Sequence, residues 1–205
     1  MTQSSAFIFS LAIRGSPYAY NWTIGSKNYY TDATDKANWY SKFDAQNLTD
    51  AQVAKFGYAY SWSAATGLTY SNEYKNYDKQ QGICPNGWHI PTGIEWITLQ
   101  KFVNNNAGLL NSTSGWTYEV DNGTDKYGFT ALPADMCRTN NDIPNNNGRI
   151  SYPGAEAVFQ TASTNKTGVC LVIFGGYKQA TTSQINIVQK DRGEYYAASV
   201  RCVKD

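Results

Sequence analysis

Residues 84–96 read C-P-N-G-W-H-I-P-T-G-I-E-W, and the chain closes with S-V-R-C-V-K-D over residues 199–205. Thr92 followed three residues later by Glu95 is a capping box. Its hydroxyl can accept from the Glu95 backbone N–H while the Glu95 side chain reaches back to the Thr92 N–H. Pro91 fixes the backbone just ahead of this cap. Trp96, Leu99, Phe102 and Val103 then recur at helical spacing, so one face of a helix from Thr92 to about residues 104–108 is predicted to be buried. Cys84 stands just upstream of that helix and Cys202 almost at the last residue, so a bond between them would close most of the molecule.

Outward from this stretch, Phe7, Phe9, Leu11 and Ile13 alternate with small or polar residues, the period of a half-buried strand, and residues 1–46 read as strand and loop. Asn47–Phe56 is a short helix candidate, with Thr49 or Asp50 as its cap, Val53 and Phe56 as its apolar face and Gly57 as its stop. From Trp116 onward the chain breaks into short apolar segments between turns, among them Gly128–Leu132, Val169–Phe174 and Ser199–Val203. Two main helices packed on antiparallel sheet make an α+β domain. Its length of 205 residues suits a single domain over 1–205. Between Arg138 and Gly154 runs a long irregular loop region rich in Asn, Pro and Gly, of the kind that is commonly functional inside a compact domain.

Four blocks in one order resemble the Fibrobacter succinogenes major paralogous domain. They are F-G-Y-A-Y-S-W-S-A-A at Phe56–Ala65, the C-P-N-G-W-H-I-P-T-G-I-E-W stretch, Y-G-F-T-A-L-P at Tyr127–Pro133, and the S-V-R-C-V-K-D end. The likeness covers residues 56–205, leaving 1–46 as an N-terminal strand and loop segment. It implies a C-type-lectin-like fold close to that of the formylglycine-generating enzymes, a fold that hosts enzymes, adhesins and receptor-binding modules alike. It also implies a disulfide between Cys84 and Cys202, since both sit in the family's blocks. Cys137 and Cys170 then remain as a second, local pair between strands. By themselves, four cysteines allow three pairings and suit an oxidising compartment.

The formal net charge is +1 and no Lys/Arg run occurs, which leaves a nucleic-acid partner without an electrostatic footprint. The longest apolar run, Ala6–Ile13, is about eight residues against the roughly twenty needed to span a bilayer, so no membrane insertion is expected. The first residues lack a positive region and a cleavage site of the usual type. An export signal is therefore expected to have been removed, or replaced by another route out of the cell, as for a phage virion protein.

Chemistry is thinly represented. His89 is the single histidine. It lies in the W-H-I-P-T block beside Trp88 and is expected to be a buried ring hydrogen-bonded to backbone. No G-x-S-x-G elbow accompanies it. Zinc is not expected, since no C-x-x-C occurs. Oxidation of the formylglycine-generating type, the enzymatic alternative, calls for a closely spaced pair of active-site cysteines, and that spacing is missing. Calcium-dependent sugar binding calls for clustered oxygen ligands. Only D-N-G-T-D, with Asp121 and Asp125, faintly offers them, and a solvated turn is the simpler reading. No cofactor is expected.

Recognition is the positive expectation. Aromatics make up 15% of the chain, with 16 Tyr, and Asn runs in triplets, a composition that suits large amphipathic contacts at low entropic cost. Trp116, Tyr118, Asn141, Arg149, Tyr152, Tyr177, Arg192 and Tyr195 lie in or beside predicted loops. They form the candidate ligand face, centred on Arg138–Tyr152 and joined by the turns near Trp116, Tyr177 and Arg192. The partner is a glycan or a protein on another surface. The corresponding protein is a non-enzymatic cell-surface or extracellular module, adhesin-like and of the Bacteroidetes surface type. A structural or assembly module, such as a pilus tip or a phage receptor-binding protein, is the alternative.

Overall fold

The computed structural model describes residues 60–68, 73–138, 149–150, 154–165, 168–175, 182–191 and 196–205. The candidate strand at Phe7–Ile13 and the candidate helix at Asn47–Phe56 lie outside them. In chain order the elements are β1 (Tyr60–Ser61), α1 (Trp62–Thr66), β2 (Lys75–Asn76), β3 (Trp88–His89) and α2 (Gly93–Phe102). Next come β4 (Cys137–Arg138), β5 (Arg149–Ile150), β6 (Ala157–Thr164), β7 (Gly168–Gly175), β8 (Gln184–Asp191), β9 (Tyr196–Ala198) and β10 (Val203–Lys204). The mixed class is as expected: one ten-residue helix and one short one against antiparallel sheets.

The main sheet runs β2-β6-β7-β8, and a smaller one runs β1-β9-β4-β5. Both faces of the main sheet are covered. On one side Trp96, Leu99 and Val103 of the α2 segment pack with Phe159, Val172, Phe174 and Ile185. On the other, Trp62 of α1, Met136 and Ala198 pack with Val158 and Leu171. This two-sided burial explains β6, whose eight residues A-V-F-Q-T-A-S-T are all buried although half are polar. The polar ones find partners. Gln160 Nε2 donates to the Tyr60 carbonyl at 2.7 Å, and Ser163 Oγ accepts from the Gly93 N–H at 2.8 Å. The second bond satisfies one of the donors that the start of α2 leaves open.

The capping box forms as read. Glu95 N–H donates to Thr92 Oγ1 at 3.3 Å, and Thr92 N–H donates to Glu95 Oε2 at 2.8 Å. Trp96 is fully buried and stands among three rings, at centroid distances of 5.4 Å from Phe159, 6.0 Å from Phe174 and 6.2 Å from Phe129. One expectation about this helix needs correction. Phe102 is 58% exposed rather than buried. It projects from the flank of the helix, and Val103 fills the core position instead. The C-terminal segment bridges the sheet under α2 through Ser199, opposite Phe159 of β6, and Val203 packs in the Trp96 cluster while β10 pairs with β3, Val203 opposite His89.

The disulfide expectation divides. Cys84 and Cys202 are bonded, closing a separation of 118 residues inside a buried cluster with Tyr60, Ala65, Ile90, Ala162 and Val200. The side chains of Cys137 and Cys170 lie outside the described residues, and only their backbones are placed. Cys137 is in register with Ile150 and Ala197, Cys170 with Gln189, so the two stand on strands of different sheets.

Candidate functional site

The disulfide and the capping box meet at His89. Its side chain is buried, with Nδ1 2.5 Å from Asp205 Oδ1 and Nε2 3.0 Å from Glu95 Oε1. Backbone partners were expected; carboxylates from 6 residues downstream and from 116 residues downstream take both ring nitrogens. A neutral imidazole has one N–H, so both bonds are made together only when the ring carries two protons or one carboxylate carries a proton. The node ties β3, the start of α2 and the residue after β10 into one unit. Both ring nitrogens are thereby engaged with carboxylates. Nearby, Arg201 is buried, donates from Nη2 to the Phe129 carbonyl at 2.5 Å and lies 4.2 Å from the Phe129 ring centroid. Side chains of three of the family-like blocks are thus tied to one another.

The candidate ligand residues fall into three groups. Trp116 is buried at 7% exposure in the core under α2, and its indole N–H donates to Ser112 Oγ at 3.0 Å. Its ring therefore offers no face to a ligand. Tyr118 is half-buried at the start of the 3-10 turn Glu119–Asp121. Arg149 opens β5, where its backbone is described. Asn141, Tyr152, Tyr177, Arg192 and Tyr195 lie outside the described residues.

Register nevertheless locates the connections that carry them. Arg149 pairs with Arg138, and Arg138 pairs with Tyr196. The segments 139–148 and 192–195 therefore leave the smaller sheet side by side. The segment 176–181, by contrast, closes the β7–β8 hairpin at the Gly175–Gln184 end, whereas 192–195 departs from the Gly168–Asp191 end. Eight-residue strands separate those two ends, which puts them about 20 Å or more apart. The Gly175 end of that hairpin lies near the Trp116 region. Thr117 N–H donates to the Gly154 carbonyl at 2.7 Å, and Gly175 and Ala155 approach so closely that a Cβ on Gly175 would stand 3.0 Å from the Ala155 carbonyl. Gly154 has φ +95 and its missing Cβ makes room for the Thr117 hydroxyl, so glycine is required there. The described strand ends next to the candidate segments thus lie in two places: Arg138, Arg149 and Tyr196 at one, Thr117, Gly154 and Gly175 at the other.

The weak oxygen-ligand candidate resolves as a turn. Asp125 Oδ1 accepts from the Thr130 N–H at 2.6 Å and Oδ2 from its hydroxyl at 2.5 Å, while Asp121 is buried. Among the described residues no three His, Cys, Asp or Glu side chains come together as a metal would need. No helix among them is long and apolar enough to cross a membrane. Both residues of β2, Lys75 and Asn76, are exposed. There a hydrogen bond to Glu73 and its charge hold the Lys75 amine above the usual lysine range.

These features define a disulfide-closed domain of mixed class, in which one capped helix covers a four-stranded antiparallel sheet. The chain belongs to the Fibrobacter succinogenes major domain family, whose model matches residues 16–204. That span begins well before Phe56, so it takes in most of the N-terminal segment as well. No curated protein and no solved structure matches the chain.

Proposed function

We propose that the chain is a non-enzymatic recognition module of an extracellular or cell-surface protein, with a C-type-lectin-like arrangement. Its ligand face is built on the paired connections 139–148 and 192–195, and it binds a glycan or protein on another surface. One observation carries the reading: Arg149, Arg138 and Tyr196 stand in register across three strands, so two connections, the Asn-rich 139–148 and R-G-E-Y at 192–195, leave the same end of one sheet. A frame closed by the Cys84–Cys202 disulfide lets such connections hold planar donors and aromatic rings in place. A disulfide also suits the compartment. The cysteine arrangement lends nothing to an oxidase of the formylglycine-generating type, because Cys202 is bonded to Cys84 and the other two cysteines stand on different sheets.

The test is ligand capture on glycan and surface-protein arrays, repeated with Arg149→Ala and Tyr195→Ala. Binding is expected to vanish in both variants while Tm stays within about 2 °C of the parent, as for surface changes costing under about 0.5 kcal/mol. Loss of binding together with a large fall in Tm would mark the two residues as structural and overturn this site.

A further inference from the structure

We propose that the exposed pair Phe102 and Tyr127, flanked by Lys101 and Lys126, is a second saccharide platform, selective for glycans that carry carboxylates. The proposal rests on the recognition reading above, and adds to it a place and a ligand class.

Phe102 is the last residue of α2 and is 58% exposed; Tyr127 is 46% exposed in the turn that follows Asp125. Their ring centroids are 5.1 Å apart with planes inclined at 55°, so the two rings form an open V at the surface. Neither ring is needed to fill the core, which Trp96, Phe129, Phe159 and Phe174 already do. Left-handed backbone brackets both rings. Among the described residues six non-glycines have positive φ, and four of them lie here: Asn104 (52), Asn105 (56), Asp125 (45) and Thr130 (51). Asn and Asp enter this region readily, whereas the β-branched Thr130 is strained there and persists only where surrounding bonds over-determine it. The holding bonds are present here. Asp125 clasps the Thr130 N–H and hydroxyl, Gly128 N–H donates to the Asp125 carbonyl at 3.0 Å, and Asn105 Oδ1 accepts from the Ile185 N–H at 3.0 Å.

Charge selects the ligand. The Lys126 ammonium lies 5.6 Å from the Tyr127 ring centroid, and Lys101 is exposed next to Phe102. The Asp125 carboxylate beside Lys126 keeps its charge while it accepts from Thr130. Lys101 and Lys126 stand beside the rings in sequence against that one carboxylate, a positive balance that favours an anionic partner. The C–H face of a pyranose can lie on an aromatic ring, its carboxylate can pair with a lysine, and the Tyr127 hydroxyl and exposed Asn104 amide can bond its hydroxyls. A protein partner fits less well. Two rings offer a small part of the roughly 800 Å² per side that a stable protein interface buries. The exposed Ile94 and Ile97 are separated from them along the helix by the exposed polar residues Thr98 and Lys101.

The test uses the full chain and three acidic probes, trigalacturonate, a glucuronate-containing oligosaccharide and sialyllactose, beside the methyl ester of the first and neutral cellotriose. Calorimetric titration is expected to show binding of at least one acidic probe, with the ester and cellotriose at least about tenfold weaker, a step of about 1.4 kcal/mol. Phe102→Ala and Tyr127→Ala should each lose about tenfold or more, Lys126→Gln should level acid and ester, and Tm should hold in all three. Binding that survives both ring variants, acid and ester bound alike by the parent protein, or no acidic probe bound overturns the platform. Ring variants that abolish capture of a protein while no saccharide binds would overturn it in favour of a protein surface. Acidic probes lost through Arg149→Ala rather than through the ring variants would overturn this proposal while leaving the broader recognition reading intact.

Discussion

Trp96→Ala is the sharpest test of the packing. The side chain is fully buried against Phe129, Phe159 and Phe174. A tryptophan of this kind buries about 150–250 Å², which at about 25 cal/mol per Å² is a transfer contribution of about 4–6 kcal/mol. The unfolded chain already hides part of that area, while the cavity left behind adds a cost. The expected loss is therefore about 4 kcal/mol, within the 3–5 found for large aromatic truncations. For a chain of this size that lowers Tm by about 8–16 °C. With a urea m-value of about 2 kcal/mol/M it moves the midpoint by about 2 M. Urea unfolding with the disulfide intact, followed by circular dichroism, measures it. Phe102→Ala is the internal control. Read from sequence, both residues lie on the buried face, whereas exposure of the Phe102 ring predicts a loss below about 0.5 kcal/mol. A Trp96 variant within 1 kcal/mol of the parent, or a Phe102 variant as damaged as the Trp96 one, would refute this account of the core.

Peptide mapping without reductant should recover Cys84 joined to Cys202 and no Cys84–Cys137 peptide. Cys202→Ser should destabilise by about 5 kcal/mol in the chain-entropy model for a loop of 118 residues, seen as a lower urea midpoint than the oxidised parent. Thr92→Ala should cost about 0.5–2 kcal/mol through the lost cap. Glu95→Ala should cost more in the same unfolding experiment, because Glu95 also holds His89 and the Thr92 backbone; equal losses would mean that the His89 contact contributes nothing.

Much of the frame was legible in the chain. The Thr92–Glu95 box, the start of α2 and the burial of Trp96 and Leu99 are local features, set by backbone donors within one turn and by helical period. The Cys84–Cys202 bond followed from the resemblance of two blocks, and no spacing rule would have supplied it. β6 marks the limit of hydropathy as a guide. Q-T-A-S-T reads as a solvated segment, yet every residue is buried because layers close over both faces and supply partners such as the Tyr60 carbonyl and the Gly93 N–H.

The rest was decided by contacts between residues far apart in the chain. His89 shows no sign in sequence of its bond to Asp205, 116 residues away, which exists because β10 lies against β3. Trp116 reads as an exposed loop aromatic and is buried because Ser112 and the space beneath α2 receive it. Phe102 is grouped with the core when read from sequence and is exposed, since six residues after Trp96 it stands about 120° from it around the helix axis, on the flank of the face that Leu99 and Val103 share. The strand ends next to the candidate segments lie in two places because of strand pairing. Sequence shows which segments are irregular, while only strand order and register decide which of them leave a sheet from the same end.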